Sequence, residues 1–293
     1  MSLWTISGMV RFTVLGSGSS GNCALVRTDD TCLLIDAGLS ARQICQRLES
    51  VGSSIDQIHG IFLTHEHGDH TRGLEVLSAA RQLPIFCTAL TQETLLGSIK
   101  FRQSPAWRLM NTGTSFAFRD LHMECFPVQH DAVDPVGYLI ANEVSRLGVL
   151  SDVGFITHLI KDRLKGVDSV FIEANYDTRL LDADTKRPWA TKQRISSRHG
   201  HLSNEQAAEL IECIAHPEMN HVVLGHLSED CNAPDVAMQC IRRALENAGA
   251  GQANVHCAGR SQPTPLFDAA RPRPRGALFA AVPEPVPRQM ALF

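Results

Sequence analysis

The stretch Phe62–Gly73, FLTHEHGDHTRG, crowds three histidines, one aspartate and one glutamate into the six positions from His65 to His70. Residues two apart lie on different faces of a helix, so His65 and His67 cannot act together from one helical stripe. A loop leaving the apolar strand that precedes it can bring them together. At a sheet edge such a loop can aim imidazoles and a carboxylate at one or two cations, with Gly68 freeing the backbone for the turn. So many desolvated polar groups at one place are costly unless a cation organises them, and this separates the stretch from an ordinary polar surface loop.

Outward from this turn, the chain reads as sheets and helices in alternation. VRFTVLG, NCALVRT and CLLIDAG are expected strands, followed by the helix ARQICQRLESVG, the strand HGIFLTH, the helix TRGLEVLSAARQL and the strand PIFCT. TSFAFRD, HMECFPVQH, VGYLIANE and RLGVLSD continue as strands, and ITHLIKDRLKG as a helix. DSVFIEANYD, HVVLGHL and ANVHCAG are further strands, separated by the helices SNEQAAELIECIA and PDVAMQCIRRALENAG. Two halves, each of strands followed by helices, predict an α/β sandwich of two β-sheets with helices on both outer faces.

The domain expected from this pattern spans residues 10–260. Residues 1–9 read as a leader or tag before a start at Met9, because MSLWTISG lacks a basic opening and a long apolar run. After Ser261 the composition changes: seven of the fourteen prolines fall between Pro263 and Pro287, so residues 261–293 are expected to be an extended, flexible tail.

Composition narrows the function classes. With 293 residues, 44% hydrophobic, 20% charged and a formal charge of −4, the chain is an ordinary globular protein and no polycation. Contact with nucleic acid would need a local basic patch or a metal site. Nine dispersed cysteines without a C-x-x-C pair speak for buried thiols in a reducing cytoplasm. No run reaches the roughly eighteen apolar residues of a membrane span.

T-H-x-H-x-D-H resembles the signature of the metallo-β-lactamase fold, an αββα four-layer sandwich with a hydrolytic metal site between its sheets. The rest of that pattern is matched by Asp36 in LLIDAG, His130 in FPVQHDA, Asp152 in VLSDVG and His226 in VLGHLSEDCN. The resemblance implies that His65, His67 and His130 hold one metal, Asp69, His70 and His226 a second, and that Asp152 bridges them, with Asp36 behind the ligands. A nitrogen and oxygen set without cysteine suits zinc or manganese, with iron as an alternative. Two such cations, about 3.5–4 Å apart, can hold a hydroxide for attack on phosphorus or carbonyl carbon.

Thioesterases of the glyoxalase II type and phosphodiesterases such as ribonuclease Z share this metal arrangement. In the phosphodiesterases a glutamate and a histidine act together, and similarity of context assigns those roles to Glu173 in FIEANYD and His201 in RHGHLSN, with His201 protonating the leaving alkoxide. A sugar oxygen needs that proton, whereas a thiolate leaves unaided. LGSGSSGNC, HDAVDPVGY, RPWATKQRI, GHLSN and HLSEDCN together resemble the YycJ/WalJ branch, whose members are 5′-to-3′ DNA exonucleases. The short intervals from His130 to Asp152 and from Asp152 to His226 leave no room for the tRNA-gripping arm of ribonuclease Z or the inserted domain of β-CASP nucleases. A small-molecule thioester or lactone hydrolase and an RNA-directed nuclease are the alternative readings.

Two segments are candidates for holding DNA. GSGSSGN can offer backbone N–H groups and the side chains of Ser17, Ser19, Ser20 and Asn22 to a phosphate. KRPWATKQRISSR, read as a basic loop, offers Trp189 for base stacking and Lys192 and Arg194 for phosphates. The chain ends in QMALF, where Gln289, Met290, Leu292 and Phe293 resemble the peptide by which bacterial replication and repair proteins bind the DNA sliding clamp, with methionine in place of leucine.

Overall fold

The computed structural model describes residues 8–272. Nearly all of the expected leader and the QMALF peptide (Gln289, Met290, Leu292, Phe293) lie outside the described residues.

Period-two alternation of side chains builds the layers. In β1 (Arg11–Gly16), β2 (Cys23–Arg27) and β3 (Cys32–Ile35), the residues Phe12, Val14, Ala24, Val26, Leu33 and Ile35 face one core. Their neighbours Leu15, Leu25 and Leu34 face another, packed against Ile44 and Leu48 of helix Ala41–Ser50. With β4 (Ile61–Phe62), β5 (Pro84–Thr88), β6 (Ala106–Met110) and β14 (Phe267–Asp268), these strands form one sheet in the order β14-β1-β2-β3-β4-β5-β6.

The second sheet repeats the scheme. It contains β7 (Ser115–Phe118), β8 (Leu121–Pro127), β9 (Val136–Ala141), β10 (Arg146–Leu150), β11 (Ser169–Glu173), β12 (His221–Gly225) and β13 (Asn254–Cys257), ordered β13-β12-β11-β10-β9-β8-β7. Val136, Tyr138, Ile140, Val149, Phe171 and Val223 meet the inner residues of the first sheet. Val170, Ile172, Val222 and Leu224 pack outward on helices Asn204–Ile214 and Pro234–Asn247. Three apolar layers between four layers of structure make the αββα sandwich, each large buried aliphatic side chain contributing about 1.5–3 kcal/mol.

The site is placed by strand direction. β3 runs parallel to β4, and β10, β11 and β12 are mutually parallel, so their C-terminal ends share one edge of the sandwich. β8 and β10 are both antiparallel to β9, which brings the end of β8 there as well. Tyr138, fully buried, donates its hydroxyl to the carbonyl of Leu63 and ties the second sheet to the strand end that leads into His65.

Several expectations need correction. The segment HGIFLTH is regular strand only at Ile61–Phe62, with His59, Gly60 and Leu63 adding backbone bonds to the neighbouring strands on either side. The turn that follows is not loop throughout: Gly68–Thr71 forms one helical turn, and Gly68 has neither a positive φ nor a crowded Cβ position, so glycine is not demanded there. The basic segment read as a loop contains helix Trp189–Ile195. The tail does not begin at Ser261 either. Thr264 Oγ1 accepts the Val14 N–H, Phe267 packs in the inter-sheet core and β14 pairs antiparallel with β1, because edge hydrogen bonds and one buried aromatic outweigh the proline-rich composition. Helices Ala89–Ser98 and Thr178–Ala183 and the strand β6 lack a clear period and were not anticipated.

Candidate metal centre

Asp36 closes β3 and organises the metal turn from behind. Its Oδ1 accepts the Thr64 N–H at 2.8 Å and its Oδ2 accepts the Thr64 hydroxyl at 2.9 Å. Oδ2 also faces His70 Nδ1 at 2.7 Å, which leaves His70 Nε2 turned toward the cluster. The close approach is enforced at Gly38, where a Cβ would fall 1.6 Å from the Asp69 carbonyl oxygen.

Asp152 stands at the centre. His65, His67, His130 and Asp152 offer donor atoms that all lie within 4.8 Å of one another, and so do Asp69, His70 and Asp152. Asp152 Oδ2 is 3.6 Å from His65 Nε2, 3.7 Å from His130 Nε2 and 3.2 Å from His70 Nε2. Donors about 2.0–2.1 Å from one tetrahedral ion are separated by about 3.3 Å, so these residues fit a divalent cation. His130 Nδ1 donates to the Gly200 carbonyl at 2.9 Å, which fixes the ring with Nε2 inward. Burial, and then the neighbouring His70, push His65 well below the usual histidine range, and burial lowers His130, so both stay neutral with lone pairs available.

His226 sits between two groups. Its Nε2 is 3.8 Å from Asp69 Oδ2, while its Nδ1 faces Asp152 Oδ1 and lies 3.1 Å from Glu173 Oε1. Asp36, Asp152 and His226 have φ of 61°, 50° and 54°, each just past a strand end. This left-handed backbone costs about 1–2 kcal/mol per residue and turns the side chains from the strand line into the cleft.

Glu173 and His201 meet beside this cluster. Glu173 ends β11 and is fully buried; its Oε2 accepts the N–H groups of Val153 and Leu202 at 2.9 and 3.2 Å, and its Oε1 lies 2.7 Å from His201 Nδ1. Burial opposes charge on both groups, yet pairing prevails: the Glu173 carboxyl is pushed down to about 2 and His201 is raised. The His201 side chain remains 22% exposed and its ring is 5.3 Å from that of His130 and 5.1 Å from that of His226.

The candidate DNA-holding residues divide sharply. Ser17 and Asn22 are buried and serve the architecture, not a phosphate: Ser17 Oγ accepts the His226 N–H, and Asn22 bonds to Ser17, Gly18, Asp69 and His70. The N–H groups of Ser17, Gly18, Gly21 and Asn22 are likewise spent on internal acceptors. Ser19 and Ser20 are exposed at the loop tip. Lys192 is buried, its Nζ donating to the Asp182 carbonyl at 2.8 Å, because its helix turns it inward. Trp189 is 69% exposed, and Arg194 reaches Asp131 with Nε at 2.8 Å.

Asp131, Arg72 and Arg260 escaped the reading of the chain. Asp131 Oδ1 lies 3.2 Å from His130 Nε2 while Oδ2 holds Arg194, so it links the cluster to the basic helix; its position next to His130 was the available signal. Arg72 donates to the Ser20 carbonyl at 2.9 Å, and Arg260, paired with Glu229, packs over Gly18, which places two arginines at one loop. Only folding brings the latter pair together.

Residues 31–227 match the family model described as a beta-lactamase superfamily domain. The chain is 35% identical over 245 residues to the exodeoxyribonuclease YycJ of Bacillus anthracis, covering 83% of this chain and 91% of that protein. It is 32% identical over 246 residues to the exodeoxyribonuclease WalJ of Streptococcus pneumoniae serotype 2, covering 82% and 90%. Among solved structures, the metallo-β-lactamase fold protein YhfI from Bacillus subtilis superposes with a TM-score of 0.64 at 15% identity, covering 88% of this chain and 99% of that one. Among the described residues no helix is long and apolar enough to cross a membrane.

Proposed function

Since this chain belongs to the metallo-β-lactamase superfamily, in its YycJ/WalJ-like branch, and is a metal-dependent hydrolase, we propose that it removes nucleotides from DNA in the 5′-to-3′ direction, as a phosphodiesterase with two divalent cations. Zinc or manganese is the preferred cation, with His65, His67, His130 and Asp152 at one position and Asp69, His70, His226 and Asp152 at the other. When bound, the cations supply an activated water at neutral pH and offset charge on the attacked phosphorus.

The observation that carries the reading is the contact between His201 and Glu173. Glu173, pinned by two backbone N–H groups, fixes the ring by its Nδ1 and turns Nε2 outward, at a partly open position beside the cluster. His201 Nε2 can then donate a proton to the departing sugar oxygen, a poor leaving group that gains about 10²–10⁴-fold from such help. A thioester would have no use for it. Trp189 and Arg194 supply a stacking surface and a phosphate contact on the basic helix, and Ser19, Ser20, Arg72 and Arg260 further contacts at the Gly18–Ser20 loop.

The deciding experiment incubates 5′-labelled single- and double-stranded DNA, RNA and S-lactoylglutathione with the purified chain and Mn²⁺ or Zn²⁺. Release of mononucleotides from the 5′ end of DNA supports the reading. Hydrolysis of the thioester with DNA left intact overturns it. The terminal Gln289, Met290, Leu292 and Phe293 are proposed to bind the DNA sliding clamp, placing the nuclease in cytoplasmic replication or repair.

A further inference from the structure

The loop from Ser17 to Asn22 reaches one half of the metal centre selectively. Among the described residues its hydrogen bonds engage Asp69, His70 and His226, and none engages His65, His67 or His130. Ser17 Oγ accepts the His226 N–H at 2.8 Å and donates to Asn22 Oδ1 at 3.0 Å. The Asn22 N–H donates to the Asp69 carbonyl at 2.7 Å.

The buried Asn22 carboxamide has a determined orientation. Its Oδ1 also accepts the Gly18 N–H at 2.9 Å, and its Nδ2, which donates to the Gly18 carbonyl at 3.1 Å, is the atom that faces the cluster. Nδ2 lies 3.2 Å from Asp69 Oδ2 and 3.0 Å from His70 Nε2. With His70 Nδ1 given to Asp36, Nε2 is the atom that must serve a cation. An amide N–H and a cation compete for the same lone pairs on these two atoms.

We infer that Asn22 is a positioning residue that sets the affinity of the second cation position and keeps it below that of the first, so that the two ions bind in sequence. This rests on the two-cation reading above. While the second position is empty, the amide holds Nδ2 against Asp69 Oδ2 and His70 Nε2, the latter also 3.2 Å from Asp152 Oδ2. Entry of the second ion must break these contacts. At the first position the contact to be broken lies within the ligand set, His65 Nε2 to His67 Nδ1 at 3.0 Å, and among the described residues no side-chain amide from outside that set reaches it.

Asn22→Asp tests this directly. One carboxylate oxygen keeps the contacts to Ser17 and the Gly18 N–H, and the other gives up the bond to the Gly18 carbonyl and replaces the amide nitrogen with an anionic donor aimed at the second position. Calorimetric titration of chelator-stripped protein with Mn²⁺ should show two steps in the wild type, at least about tenfold apart, a factor of the size that residues behind metal ligands typically control. In N22D the second step should tighten at least about tenfold while the first stays within about twofold. Melting in chelator provides a second readout: N22D should melt below the wild type, because the introduced carboxylate then faces Asp69 without a cation, and should gain more on addition of Mn²⁺. An unchanged or weaker second step, or equal shifts in both steps, overturns the role of Asn22 alone. Uptake of a single ion by the wild type overturns the two-cation reading and this inference with it.

Discussion

Glu173 Oε1 lies 2.7 Å from His201 Nδ1, joining a residue buried at the end of β11 to one held partly open beside the metal cluster. The pair predicts a leaving-group dependence. His201→Ala should lower kcat on DNA by about 10²–10⁴-fold, but cost far less on bis(p-nitrophenyl) phosphate, whose phenolate departs without a proton. Glu173→Gln should shift both substrates in the same direction by smaller factors. Equal losses on the two substrates for His201→Ala would remove the proton-donor role.

Asp152 is the residue common to the donor groups of the cluster. Asp152→Ala should therefore reduce bound metal, read by elemental analysis after gel filtration, by about tenfold or more, with activity falling in parallel. Asp36→Ala acts through His70 and Thr64 instead, and should weaken metal retention less than Asp152→Ala does.

The basic helix should separate binding from stability. Arg194→Glu should raise KM for single-stranded DNA roughly tenfold, leave kcat nearly unchanged and lower the salt slope by about one. Trp189→Ala should also raise KM, since a stacked base contributes about 1–3 kcal/mol. Lys192→Ala should leave KM alone and lower the melting temperature, because its Nζ caps the Asp182 carbonyl. A KM effect at Lys192 would contradict this division.

Acid stability should respond to His221. It sits on β12 with its ring 5.5 Å from that of His256 on β13, and both rings pack against Phe267 of β14. Burial first, and then His256 and Arg271, push His221 down to about 4. The unfolded chain takes up that proton near pH 6.5 and the folded one resists it, so this stability is present above about pH 6.5 and is lost as pH falls toward 4. His221 is partly exposed, and solvent screening reduces its share to about 1 kcal/mol or less. The drop in melting temperature from pH 7.5 to 4.5 should be smaller in His221→Phe than in the wild type; an equal drop would assign the acid sensitivity elsewhere.

Deleting Gln289 to Phe293 should abolish binding to an immobilised sliding clamp while leaving hydrolysis of short oligonucleotides unchanged. Clamp affinity that survives the deletion would dismiss the peptide.

The sequence by itself determined the layers and the ligand types. Short continuous apolar runs such as VGYLIA specify strands with two buried faces, and H-x-H-x-D-H after a buried strand specifies a cation site, because both signals are local. Tertiary structure decided which polar side chains remain free of the fold. Ser17, Asn22 and Lys192 looked available for phosphate but are consumed by the fold, while Arg72 and Arg260, distant in the chain, meet at one loop. The same dependence explains the tail: Phe267 enters the core because β1 offers a free edge and the space between the sheets needs filling, and neither condition exists until both sheets have formed.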